Sequence, residues 1–239
     1  MIVSAHQPAY NPWLGYIHKI LLCDIFVVMD DVQFEKNSFI NRNKILQNCN
    51  EHFLTIPIHI QGHTKKSIKD IKVANVIWKK KHLKSIKQAY IKSPYFDIVY
   101  SNIESILLHK SDFLIDYNNL ILEFLSKYLS IQTKIVYASS LNISGKKLDY
   151  VIELTQKIGG DIFIFGANGK DYADQNKLKS ENIKYIFQNY NHPIYHQQCK
   201  EFHPYMGIFD ILFNENPKDI TSIITYNNLT KNRVADAVQ

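Results

Sequence analysis

The order of elements in the first thirty residues constrains this fold more than any other feature of the chain. IVSA (2–5) reads as a short buried strand. QPAYNP (7–12) must be a loop, because its two prolines exclude both a regular ladder and a helix. WLGYIHKILLC (13–23) carries Trp13, Ile17, Ile20 and Leu21 at helical spacing, with Pro12 at the opening turn. DIFVVMDD (24–31) is an almost continuous apolar run ending in two carboxylates, the pattern of a parallel strand covered on both faces. Strand, loop, helix and strand make a minimal βαβ unit. In open α/β sheets ligands bind beyond the carboxyl ends of the strands. The first loop lies on that edge, and Asp30 and Asp31 close the second strand there, so the reading sets them across one crevice.

The rest of the chain continues the pattern. FLTIPIHI (53–60) predicts a strand, at an edge because of Pro57, and 61–75 a polar loop. From 77 to 130 the pattern is helical, broken at KSPYF by Pro94, with Ser111-Asp112 as a cap. TKIVYASSL (133–141), DIFIFGANG (161–169) and IKYIFQNY (183–190) read as strands. KKLDYVIELTQKIGG (146–160) is an amphipathic helix closed by Gly159-Gly160, and GIFDILFNENP (207–217) a helix stopped by Asn and Pro. No repeat or linker divides the chain. The expectation is one α/β domain over 1–239, a Rossmann-like core of mostly parallel sheet with a helical insertion around 77–130. At 46% hydrophobic residues, 239 residues suffice for its core.

Composition excludes more than it assigns. A net charge of +6 suits an anionic partner. The lysines are scattered, however, and the densest run, Lys79-Lys80-Lys81 with Lys84 and Lys87, falls on a helical face. Cys23, Cys49 and Cys199 lie far apart with no C-x-x-C pair. That spacing gives neither a zinc site nor a disulfide framework and fits a reducing cytoplasm. MIV runs at once into polar and proline residues, so no signal peptide is read, and no apolar run approaches the ~20 residues of a membrane span. With no G-x-S-x-G, H-E-x-x-H or G-x-G-x-x-G, the hydrolase, zinc-protease and NAD-dependent readings have no support.

Several stretches carry side chains suited to chemistry. His6 and Gln7 directly follow the first strand, and His suits proton transfer near neutral pH. Asp30 or Asp31 would orient it or act as the base itself. Lys36, Asn41, Arg42 and Lys44 form a basic, amide-bearing segment that suits the phosphates of a nucleotide or nucleotide sugar. FGANGKDY (165–172) ends a strand on the same edge in a glycine turn. Its G-x-x-G-K is too short for a Walker A loop and no Ser or Thr follows Lys170, so a plain turn accounts for it equally well. SGKKLD (144–149) reads as a helix start capped by Ser144. In NYNHPIYHQQ (189–198), Pro193 between His192 and His196 argues against a helical metal face. A hydrogen-bonding pocket wall is the better reading, and no metal is assigned.

HQPAYNPWLGYIHKI, DIFVVMDDVQFEKNSFINRNKI, LTIPI, SPYF, FGANGKDY, HPIYHQ and FDILFN, in that order, closely resemble the landmarks of the WbqC-like family across nearly the whole chain. Asn11 stands where that family usually has Leu. The resemblance implies a cytoplasmic role in bacterial surface polysaccharide (O-antigen) biosynthesis, with transfer of an N-acyl or aminoacyl group such as glycyl to a nucleotide-linked amino sugar. By matching position it implies His6, Asp31 and His18 as catalytic candidates. It implies Gln7, Tyr10, Trp13, Tyr16, Lys36, Asn41, Arg42, Asn43, Lys44, Tyr172, His192 and Tyr195 as substrate-binding ones. The donor would be a carrier-protein thioester, an aminoacyl-tRNA, a CoA ester or an adenylate made from ATP. The strand–QP–W-L-G-Y opening also resembles a HIGH-type nucleotidyltransferase start, with Trp13 and Tyr16 where that motif has its histidines. Two alternatives therefore stand beside the transferase: an ATP-dependent ligase or nucleotidyltransferase, and a non-catalytic nucleotide-sugar-binding or scaffolding subunit.

Overall fold

A computed structural model describes residues 1–59, 61–62 and 65–238. Ile60 of the predicted strand 53–60, and His63 and Thr64 of the predicted polar loop, lie outside the described residues. The opening unit is as read: strand β1 (Ile2–His6), helix α1 (Leu14–Leu21) and strand β2 (Ile25–Val28). A hairpin follows, β3 (Arg42–Gln47) and β4 (Asn50–Thr55), and then three helices, α2 (Ile77–Tyr90), α3 (Phe96–Leu108) and α4 (Leu114–Tyr128). The second half adds β5 (Lys134–Tyr137), α5 (Leu148–Ile158), β6 (Ile162–Phe165), α6 (Gln175–Ser180) and β7 (Lys184–Phe187), followed by α7 (Ile208–Asn214), α8 (Pro217–Thr225) and the short α9 (Val234–Ala237).

Five of these strands form one wholly parallel sheet in the order β5-β2-β1-β6-β7. From β1 the chain builds outward through β2 to β5, then returns to the other side of β1 for β6 and β7. The strand order therefore reverses between β1 and β6, and the carboxyl ends of these two strands form the topological switch point at which such sheets hold ligands. Alternation along the strands covers both faces. Val3, Ala5, Val27, Phe163 and Phe165 pack under α5 and α6 through Leu148, Leu154 and Leu178. Phe26, Val28, Ile162 and Ile164 pack on the other side with Ile17 and Ile20 of α1, in a core that runs on through the hairpin and α2–α4.

Four local readings need correction. The hairpin's first strand was not foreseen, because RNKILQNCNEHFLT is polar and its turn holds no glycine. Asn48 and Cys49 instead take φ of 49° and 55°, the left-handed pair that a two-residue hairpin turn needs. Ser144 does not cap α5: Lys147 holds that position, and the Ser144 and Gly145 N–H groups donate to Glu153 Oε2 at 3.0 and 2.8 Å. Ser111 accepts from the Phe113 N–H at 3.0 Å, but Phe113 is the cap position of α4. The expectation of no disulfide is overturned. Cys49 and Cys199 are bonded, Cα–Cα 5.6 Å, across a sequence separation of 150. A spacing rule cannot see that pair, since the hairpin turn brings Cys49 to the late loop. Cys23 is a free, buried thiol. Among the described residues no helix is long and apolar enough to cross a membrane.

Candidate functional site

At the switch point β1 ends in His6. The His6 O accepts from the Met29 N–H at 2.9 Å, which locks the carboxyl ends of β1 and β2 together. The ring is half-buried and edge-on to Trp13 and Tyr16, each with its centroid 5.2 Å away. His6 Nδ1 lies 3.0 Å from the Gln7 carbonyl oxygen. A carbonyl only accepts, so this contact puts the proton on Nδ1 and the lone pair on Nε2. No described residue engages Nε2 or the Gln7 amide. Burial, helped by the positive charge of Lys19, pushes the His6 pKa down to about 4, against the opposing bond to Gln7. At neutral pH the imidazole is uncharged, with a basic nitrogen to spare.

Lys19 is the residue that the sequence reading missed. It lies on α1 and is 3% exposed, and its Nζ donates to the Ala5 carbonyl of β1 at 2.8 Å. On the β6 side Gly166 is its neighbour: a Cβ built there would stand 3.8 Å from Nζ. Burial lowers the ammonium pKa to about 8, with the nearby Cys23 opposing. The available signal was a single cation in GYIHKIL, a stretch whose apolar residues left no polar face to put it on.

The other candidates divide between the site and the scaffold. Trp13 and Tyr16 wall His6, and the Phe39 ring packs on Trp13 with its centroid 5.4 Å away. The acidic pair does not meet the opening loop. Asp30 Oδ1 accepts from the Ser139 N–H at 2.9 Å and Oδ2 from its hydroxyl at 2.6 Å, while Asp31 accepts from the Tyr150 hydroxyl at 2.6 Å. Both carboxylates are spent on holding β2 to the turn after β5 and to α5, so neither orients His6. His18 is likewise a strut. Its Nε2 donates to the Leu229 carbonyl at 2.8 Å, and Nδ1 accepts from Gln188 at 2.9 Å. Tyr10 is buried, with its hydroxyl 2.8 Å from His82 Nδ1, and so cannot touch a ligand.

The basic segment does not join His6 either. Lys36, Asn41 and Arg42 line a separate cavity of about 230 Å³ with Phe34 and Pro57. There Asn41 is committed to the Ile56 carbonyl at 2.9 Å, and Arg42 to the Asn37 carbonyl at 2.8 Å. Asn43 donates to the Asn11 carbonyl at 2.6 Å, and Lys44 pairs with Glu51 at 2.8 Å on the hairpin. Tyr172 is exposed on the turn after β6, its ring 5.9 Å from Phe165. His192 Nδ1 donates to the Pro193 carbonyl at 2.8 Å and its Nε2 accepts from the Tyr205 N–H at 3.2 Å. Tyr195 donates to the buried Asp210 at 2.8 Å. A larger cavity, about 450 Å³, lies between α4 and β5 and is lined by His109, Asp116, Glu123 and Tyr137. Among the described residues no group of three His, Cys, Asp or Glu could hold a metal ion.

A model of the WbqC-like protein family matches residues 7–222. An uncharacterized protein of Mycobacterium tuberculosis, Rv1507c, is 24% identical over 214 residues, covering 89% of this chain and 93% of its own. No solved structure matches.

Proposed function

This chain belongs to the WbqC-like protein family, and we propose that it is a transferase of bacterial surface polysaccharide (O-antigen) biosynthesis. It would move an N-acyl or aminoacyl group, such as glycyl, onto the amine of a nucleotide-linked amino sugar. The observation that carries this reading is the state of His6: neutral, with Nδ1 spent on the Gln7 carbonyl and Nε2 engaged by none of the described residues at the switch point. An attacking amine must lose a proton as its nitrogen bonds to the acyl carbon. Nε2 takes that proton, the carbon–sulfur or carbon–oxygen bond to the donor breaks, and the leaving group recovers the proton from the imidazolium. The donor is an activated acyl group of the thioester, aminoacyl-tRNA or adenylate class. Trp13 offers the sugar or base a ring to stack on, and the Gln7 amide, which no described residue engages, offers a hydrogen bond.

One observation favours a second reading, an ATP-dependent ligase. The sheet order matches the one in which nucleotides bind at the reversal of strands. A thermal-shift screen against UDP-glucosamine, acetyl-CoA and magnesium ATP separates the two, since stabilisation scales with ligand concentration over Kd. The transferase reading expects UDP-glucosamine to raise the Tm and His6→Gln to abolish turnover. Stabilisation by magnesium ATP alone would transfer the argument to the ligase. Binding with full biological function in His6→Gln would leave a non-catalytic subunit.

A further inference from the structure

Lys19 is a buried cation with an incomplete shell. An ammonium carries three N–H donors. The Ala5 carbonyl takes one at 2.8 Å, and no carboxylate or other acceptor among the described residues takes the rest. At 3% exposure, water replaces those partners poorly, and a charge held in that state destabilises the fold unless something pairs with it. Its location matters as much. Nζ lies between the carboxyl end of β1, at Ala5, and Gly166, the residue directly after β6, where the strand order reverses. Across from it Gly166 contributes no side chain, and even one carbon there would stand 3.8 Å from Nζ. Gly166 has a φ of −73°, which any residue adopts, so the backbone does not require glycine at this point.

We infer that Lys19 is the anchor of an oxyanion-binding subsite at the β1/β6 switch point, kept open by Gly166, which takes a phosphate or carboxylate group of the ligand. The inference shares its crevice with the transferase reading but does not depend on the reaction. In the transferase the subsite would hold the sugar diphosphate or the carbonyl oxygen that becomes negative during acyl transfer. The placement also links the two residues. The Lys19 charge is one reason that the His6 imidazole stays neutral. An anion beside Nζ offsets that charge and makes Nε2 a stronger proton acceptor when the crevice is filled.

The test compares wild type, Lys19→Met and Gly166→Val in thermal unfolding at constant ionic strength, with inorganic pyrophosphate, inorganic phosphate or acetate as the probe. Lys19→Met removes the charge and keeps the length, so without an anion the variant should melt no lower than wild type. Gly166→Val keeps the lysine and fills the space before it. In wild type, a probe at a hundredfold excess over its Kd should raise the Tm by about 5–10 °C, and neither variant should respond. A response to pyrophosphate or phosphate marks a phosphate subsite, and a response to acetate marks a carboxylate subsite. Equal shifts in wild type and Lys19→Met, or no shift in wild type with any probe, would overturn the inference. So would a Lys19→Met protein that melts well below wild type, because the ammonium would then have all its partners within the fold. None of these results bears on His6, whose failure as a base would show in turnover.

Discussion

Reducing the Cys49–Cys199 bond should cost this protein a large part of its stability. The link joins residues separated by 150 positions, so in the unfolded chain it closes a loop spanning well over half the molecule. Treated as a restriction of unfolded-state entropy, a loop of that size corresponds to about 5 kcal/mol at 25 °C. For a chain of this length each kcal/mol moves the Tm by about 2–4 °C, so reduction should lower it by about 10–20 °C. The folded side adds to the effect, because the bond holds Cys49 in its left-handed turn, at φ 55°, against the loop after β7. The assay is urea unfolding of the wild type with and without a phosphine reductant, alongside the Cys49→Ser/Cys199→Ser double variant. Thiol titration of the denatured, unreduced protein should find a single thiol, Cys23. Three thiols, or a midpoint that neither reductant nor the double substitution moves, would show that the bond does not stabilise the fold.

Two further outcomes follow from buried polar groups. Asp210 is fully buried and accepts from the Tyr90 and Tyr195 hydroxyls, each at 2.8 Å, and from Gln197 Nε2 at 2.7 Å. Asp210→Ala strands those donors and should cost at least about 3 kcal/mol in urea unfolding; an unchanged midpoint would mean that they find other partners. His82 is buried, with its pKa pushed down to about 4, mainly by burial. The unfolded chain takes up a proton near pH 6.5, so stability is lost as pH falls from about 6.5 towards 4, at up to about 1.4 kcal/mol per pH unit for this one group. A His82→Gln variant should show a shallower loss than wild type across that window, and parallel profiles would contradict the assignment.

The core was legible in the sequence because its signals are periodic. IVSA, DIFVVMDD, TKIVY and DIFIF are short apolar runs at βαβ spacing, and the structure makes each of them a parallel strand. Gly159, at φ 78°, ends α5 where the glycine pair indicated. What was lost depends on partners far away in sequence. Asp31 looked free at a strand end, but its partner is Tyr150, more than a hundred residues on. His18 looked reactive, but Leu229 and Gln188 hold both its nitrogens. Cys49 and Cys199 met through a hairpin whose polar strands left no alternation to read. Within the site, His6, Gln7, Trp13 and Tyr16 are local to the first loop and were found. Lys19 follows His18 on α1 and was missed, because a lysine in a helix is normally solvated and only the packing shows that this one is not.

On the proposed reading, ligand meets His6 at the β1/β6 switch point. Nitrogen-15 NMR of the His6 imidazole during titration with UDP-glucosamine tests it most directly. The free protein should show a Nδ1-protonated neutral ring, with Nε2 and the Gln7 side-chain amide shifting as ligand binds. Shifts confined to the cavity of Asp116 and Glu123, or to that of Lys36 and Arg42, with His6 unmoved, would contradict it.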